Sequence, residues 1–241
     1  LIEGKPPSFH DNLVDRENIN NFMIQSYSMN STSSLISPDV SGYQSHDSHD
    51  IEPVKLGVMA SGNGSNFEVV AQAIKSGDLN AQIQVLIYNN PLAKAAERAL
   101  NHGVEAILLN HRHYKKREDL DREIVSTLRQ YQVDLVVMAG WMRLVTQELI
   151  DAFPNHIINI HPSLLPSFKG VRAVEQALEA GVKITGCTVH LLRLEMDSGP
   201  ILMQAAVPVL PNDTAETLHA RIQVQEHRIL PLAIAQVADK I

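Results

Sequence analysis

The chain has 241 residues, 44% hydrophobic and 20% charged, which is ordinary globular usage and long enough to bury a core in one large domain or two small ones. A formal net charge of −7 argues against a nucleic-acid binder, which needs surplus cations for the phosphates, and no apolar run approaches the ~18 residues of a membrane span. A lone cysteine, Cys187, leaves no disulfide framework and no thiolate-built metal centre, so the expected class is a soluble, cytoplasmic α/β protein.

The charge is uneven. Residues 1–53 hold two basic residues, Lys5 and Arg16, against eight acidic ones, together with ten serines. That leaves 18 basic and 19 acidic residues for 54–241. So polar a segment buries too little surface to offset its ordering entropy. Residues 1–53 therefore read as a disordered acidic extension with a short helical stretch around Asn18–Met29, and 54–241 as the folded domain. The extension lacks the apolar core of a secretory signal and is too acidic for a transit peptide. His46 and His49 read as solvated tail residues rather than metal ligands.

From Val54 the pattern alternates. Val54–Ala60 is an apolar run ending at Ser61-Gly62-Asn63-Gly64, a buried strand feeding a turn. A helix follows over about 66–75, closed by Gly77. Strands are expected at 83–88, 104–108, 133–139 and 156–160, with helices at 91–101 and 114–131 between them. Beyond Gly170 come a helix over 171–180, strands at 184–192 and 200–207, and a long helix from Asp213. Strand–helix alternation predicts a Rossmann-like three-layer fold, a mostly parallel central sheet with helices on both faces.

Three places could carry chemistry. The loop Ser61–Glu68 follows the first strand, and its glycines and the amides opening the next helix suit a phosphate. A dinucleotide is disfavoured, because Phe67 stands where a third glycine belongs and the next strand ends in Asn89-Asn90 rather than an acid. The competing explanation is a plain capping box of Ser65 with Glu68. Asn159 and His161, two apart at the end of an apolar strand, leave the same face at the carboxyl end of the sheet. An amide donor beside an imidazole can stabilise an oxyanion and manage a proton. Met196-Asp197-Ser198-Gly199-Pro200 is first of all turn chemistry; functionally, Asp197 would orient His161 and stabilise an imidazolium. His102, His111, His113, His156, His219 and His227 have no such setting. Glu226 falls within the apolar stripe Leu218, Ile222, Ile229 and Ala233, and pattern alone puts it at the stripe's edge.

Together the segments 61–66, 139–144 (Ala-Gly-Trp-Met-Arg-Leu), 159–166 (Asn-Ile-His-Pro-Ser-Leu-Leu-Pro), 197–200 and 223–227 (Gln-Val-Gln-Glu-His) resemble the phosphoribosylglycinamide formyltransferase family over about 54–241. The resemblance implies a formyltransferase fold and transfer of formyl from 10-formyltetrahydrofolate, as co-substrate, to the glycinamide amine in purine synthesis, with no metal. It implies Asn159, His161 and Asp197 as catalytic residues. Gly64, Ser65, Asn66, Phe67 and Glu226 would hold the ribotide, and Arg117, Met142, Arg143, Leu144, Val145 and Asn159 the folate. Partners would be small molecules, with no nucleic acid or membrane, in a monomer or homodimer. Two departures from a common pattern, Lys169 before Gly170 and Ser198 after Asp197, leave the catalytic groups in place. A formyltetrahydrofolate deformylase is the nearest alternative, similar around the trio but sending formyl to water. A methionyl-tRNA formyltransferase would need a basic C-terminal domain, and a non-catalytic nucleotide-binding protein would bind a phosphorylated ligand without turnover.

Overall fold

Near-continuous burial along the central strands sets the architecture. The structure, a computed structural model, describes residues 35–38 and 52–241; the helix expected around 18–29 and His46 and His49 lie outside them. In chain order the elements are β1 (Ile36–Ser37), β2 (Val54–Ala60), α1 (Ser65–Ser76), β3 (Ala81–Tyr88), α2 (Ala95–Asn101), β4 (Ala106–Leu108), α3 (Arg117–Gln130) and β5 (Leu135–Met138). Then come α4 (Gln147–Ala152), β6 (Ile157–His161), α5 (Ala173–Glu179), β7 (Ile184–Leu191), β8 (Ile201–Pro208) and α6 (Ala215–Ala238). One sheet runs β1-β8-β7-β6-β5-β2-β3-β4. β2 to β6 are mutually parallel, while β7, β8 and β1 are antiparallel additions.

Both faces of the sheet are covered, as the continuous apolar strands require. Leu56, Val58, Leu86, Leu135 and Val137 point to one side and pack with Phe67 and Val70 of α1 and Ile222 and Ile229 of α6. Met59, Val85, Ile87, Val136 and Met138 point to the other and pack with Ile124 and Leu128 of α3 and Leu149 of α4. Many of these side chains are fully buried, so a truncation such as Leu56→Ala costs about 2–5 kcal/mol.

Four local features differ from expectation. Leu35–Pro38 lie against the sheet: Ile36 pairs with Ala205 and Ser37 with Gln204, so the extension supplies the edge strand. Two apolar residues among serines give no alternating signal, which hides it. The helix expected from Pro91 starts at Ala95, because the Asn90 side chain accepts from Leu92 N–H at 3.1 Å and holds a turn there. The helix expected from Val171 starts at Ala173, after Arg172 in the left-handed region at φ 59. The six-residue α4 is too short to show a period and was not expected.

The topology locates the site. The chain leaves β2 toward β3 and β4, then returns to β5 on β2's other side. The connections leaving β2 and β5 diverge, opening a crevice at the carboxyl ends of the strands, where open α/β sheets bind ligands.

Candidate active site

The first wall of the crevice is the loop after β2. Gly64 caps α1 in the left-handed conformation, φ 72, with no side chain closing the helix end. The competing explanation, a capping box of Ser65 with Glu68, does not form. Ser65 Oγ instead accepts from Gln223 Nε2 of α6 at 2.8 Å. Glu68 turns away to pair with Arg98 at 3.2 Å and His102 at 2.9 Å, which draws its carboxyl below the ordinary range, chiefly through the His102 bond. Arg98 also donates to the Asn63 carbonyl at 2.8 Å, so α2 holds the loop from behind while the helix start is left without a side-chain acceptor. A β-carbon on Gly64 would meet Ala95 Cα at 2.7 Å.

Glu226 is not at the edge of its stripe; it is 5% exposed. It accepts from Asn66 Nδ2 at 3.1 Å, which joins α6 to the glycine loop and explains a carboxylate among Leu218, Ile222, Ile229 and Ala233. Burial pushes the Glu226 carboxyl up, opposed by the Asn66 bond and by charge on His219 and His161. Asn66 Oδ1 is buried without a hydrogen-bond partner.

The second wall is β6 and what faces it. Asn159 and His161 share a face, and the antiparallel register puts His190 opposite Asn159 and Thr188 opposite His161. Side chains paired across strands lie close: Asn159 Nδ2 is 3.2 Å from His190 Nε2. His190 Nδ1 donates to the Leu191 carbonyl at 3.0 Å, which leaves Nε2 as the acceptor for Asn159 in the neutral ring. Burial pushes the His190 imidazole down from its ordinary value, opposed by the Leu191 carbonyl and Asp197.

Asp197 comes from the turn before β8, in the left-handed region at φ 50. Its Oδ2 accepts from Gly170 N–H at 2.7 Å and lies 3.6 Å from His161 Nδ1; Oδ1 lies 3.7 Å from His190 Nε2. These are ion-pair rather than hydrogen-bond distances. His161 Nε2 donates to the Phe168 carbonyl at 2.8 Å. Both nitrogens of His161 therefore face oxygens, Nε2 in a hydrogen bond and Nδ1 at ion-pair distance.

A cavity of about 280 Å³ opens on this cluster; its lining includes Asn159, His161, Asp197, Met142, Arg143, Leu144, Val145 and Gly170. Its wall is mostly apolar with a few polar groups, the make-up of an organic-ligand site. Of the residues expected to hold folate, Met142 to Val145 and Asn159 line the cavity, whereas Arg117 is exposed at the start of α3 and is not among the lining residues. Sequence reasoning missed His190. The readable signal was a histidine two residues after Thr188 inside an apolar strand, but its partner became visible only with the β6–β7 register.

The chain matches the formyl transferase family model over residues 54–234. It is 41% identical over 183 residues to the phosphoribosylglycinamide formyltransferase of Bacillus subtilis, covering 76% of this chain and 94% of that protein. It is 35% identical over 237 residues to the human trifunctional purine biosynthetic protein adenosine-3, covering 98% of this chain but 22% of the human protein. Among solved structures, glycinamide ribonucleotide transformylase 1 from Symbiobacterium toebii superposes with a TM-score of 0.77 at 44% identity, covering 78% of this chain and 89% of that one.

Proposed function

The chain belongs to the formyl transferase family, and from that premise we propose that it transfers the formyl group of 10-formyltetrahydrofolate to the amine of 5-phosphoribosylglycinamide. The products are formylglycinamide ribonucleotide and tetrahydrofolate, as in de novo purine synthesis. The observation that carries this reading is that Asn159, His161 and Asp197 line one cavity, in a chain that covers 94% of the Bacillus subtilis phosphoribosylglycinamide formyltransferase.

The glycine loop, Gly64 to Phe67, takes the ribotide phosphate at the start of α1, where unpaired amides and the helix dipole favour an anion. Glu226, tied to Asn66, meets polar groups of the same substrate. Met142 to Val145 and Asn159 hold the folate rings in the cavity, and Arg117 meets a part of the donor that extends beyond it. The ribotide amine attacks the formyl carbon, forming a C–N bond and a tetrahedral intermediate whose former carbonyl oxygen is anionic. Asn159 donates to that oxygen through the amide hydrogen not turned to His190, and His161 through Nδ1–H, which at 3.6 Å is not hydrogen-bonded to Asp197. Asp197 supplies the counter-charge to His161 and passes the proton lost by the amine, through water, to the folate nitrogen as its bond to the formyl carbon breaks. Holding both substrates in one crevice removes much of the entropic barrier.

The test is tetrahydrofolate release measured with and without the ribotide. Release that requires the ribotide is expected; equal release without it would make water the acceptor and overturn the transfer.

A further inference from the structure

One wall of the cavity is the segment Met142–Val145, which has no helix or ladder hydrogen bonds. Nor do its side chains all anchor it, since Met142 and Leu144 are 77% and 55% exposed. Its two ends are tied to other elements. At the first end Met142 N–H donates to Ser61 Oγ at 2.8 Å, and Ser61 N–H donates to the Gly140 carbonyl at 3.0 Å. At the second end Thr146 N–H donates to Asp121 Oδ2 of α3 at 2.5 Å.

Asp121 is a buried carboxylate, 2% exposed, that neither the catalytic cluster nor the glycine loop uses. Burial pushes its carboxyl up, opposed by the Thr146 amide. Such a group is costly to keep in a helix face that otherwise packs Leu120, Ile124 and Leu128. It is not a helix cap of the usual kind. Cap side chains accept from the second or third amide of a helix, whereas Asp121 accepts from Thr146, the residue before α4 begins. Its partner is thus the end of the cavity wall itself.

We infer that Asp121 is a positioning residue for the formyl donor, clamping one end of Met142–Val145 as Ser61 clamps the other. This rests on the donor reading of the cavity. The clamps hold the wall in its binding shape before the donor arrives and so set donor affinity rather than the transfer step. Ser61 also lies at the start of the glycine loop, so the wall of one subsite is fastened to the base of the other.

Steady-state kinetics on the full chain test this. Losing a charge-assisted hydrogen bond predicts that Asp121→Ala raises KM for 10-formyltetrahydrofolate about tenfold, with kcat and the ribotide KM within about twofold. Asp121→Asn keeps a carbonyl acceptor for Thr146 N–H and should bring the donor KM back to within about threefold of the parent. Should Asp121→Ala fail to fold, Ser61→Ala cuts the tie at the other end and should also raise the donor KM. An unchanged donor KM, parallel losses in kcat and both KM values, or Asn behaving as Ala would each overturn the inference. A parent chain that transfers no formyl group would sink the donor reading and this inference together.

Discussion

Asp197 and His161 face each other at 3.6 Å, and the Asp197 oxygen turned toward the imidazole is the one that accepts from Gly170 N–H at 2.7 Å. The carboxylate is thereby fixed from the loop side and presents charge, not a direct hydrogen bond, to the ring. Asp197→Asn keeps an acceptor for Gly170 and removes the charge. We expect kcat to fall about 10²–10⁴-fold, the usual worth of a positioned acid–base group, with both KM values changed little. A melting curve like the parent's would separate this from misfolding, and unchanged turnover would remove Asp197 from the mechanism.

His190 should impose a pH dependence on stability. Burial lowers its folded-state pKa below the ordinary 6.5, so the unfolded chain takes up the proton first as pH falls. Stability is then lost on going below about pH 6.5 and levels off beneath the folded value. Protonation would also make Nε2 a donor and break its acceptance from Asn159. A His190→Gln chain should lose less stability between about pH 7.5 and 5.5 than the parent in denaturant melts. Equal losses would mean that the buried ring is not the group titrating.

Glu226 works in the opposite sense. Its folded-state pKa is raised by burial above the ordinary 4.5; the unfolded chain ionises first, so rising pH removes stability through that window. Glu226→Gln keeps an acceptor for Asn66 and removes the buried charge. Its melting temperature should gain on the parent's as pH rises above 4.5, while ribotide KM rises about 10–100-fold through loss of charged hydrogen bonds. A variant that binds ribotide as well as the parent would take Glu226 out of that subsite.

Gly64→Ala tests the glycine loop. The left-handed conformation costs a residue with a β-carbon about 1–2 kcal/mol, and here that carbon would also meet Ala95 at 2.7 Å. Denaturant melts should show a loss of about 2 kcal/mol or more, and ribotide KM should rise more than donor KM. A tolerated alanine would show that α2 yields and that the loop is not set by its glycine.

Much of this was readable from the residues because the parallel half of the sheet is written in continuous apolar runs such as Val54–Ala60 and in turn residues such as Gly77. What was not readable depends on contacts between distant segments. Glu226 is oriented by Asn66, 160 residues away in sequence, so its burial cannot be read from the helical stripe alone. His190 joins Asn159 only through the β6–β7 register. Asp121 looks like one more acid on a charged helix until Thr146 is placed against it. The edge strand Ile36–Ser37 is masked by the serine-rich composition around it.

The most direct test of the account follows the formyl carbon itself. The chain is incubated with glycinamide ribonucleotide and 10-formyltetrahydrofolate isotopically labelled in the formyl group, and the label is traced by mass spectrometry. The account predicts label in the formamide of the ribotide, one equivalent for each tetrahydrofolate formed. Label recovered as free formate, at a rate indifferent to the ribotide, would contradict it.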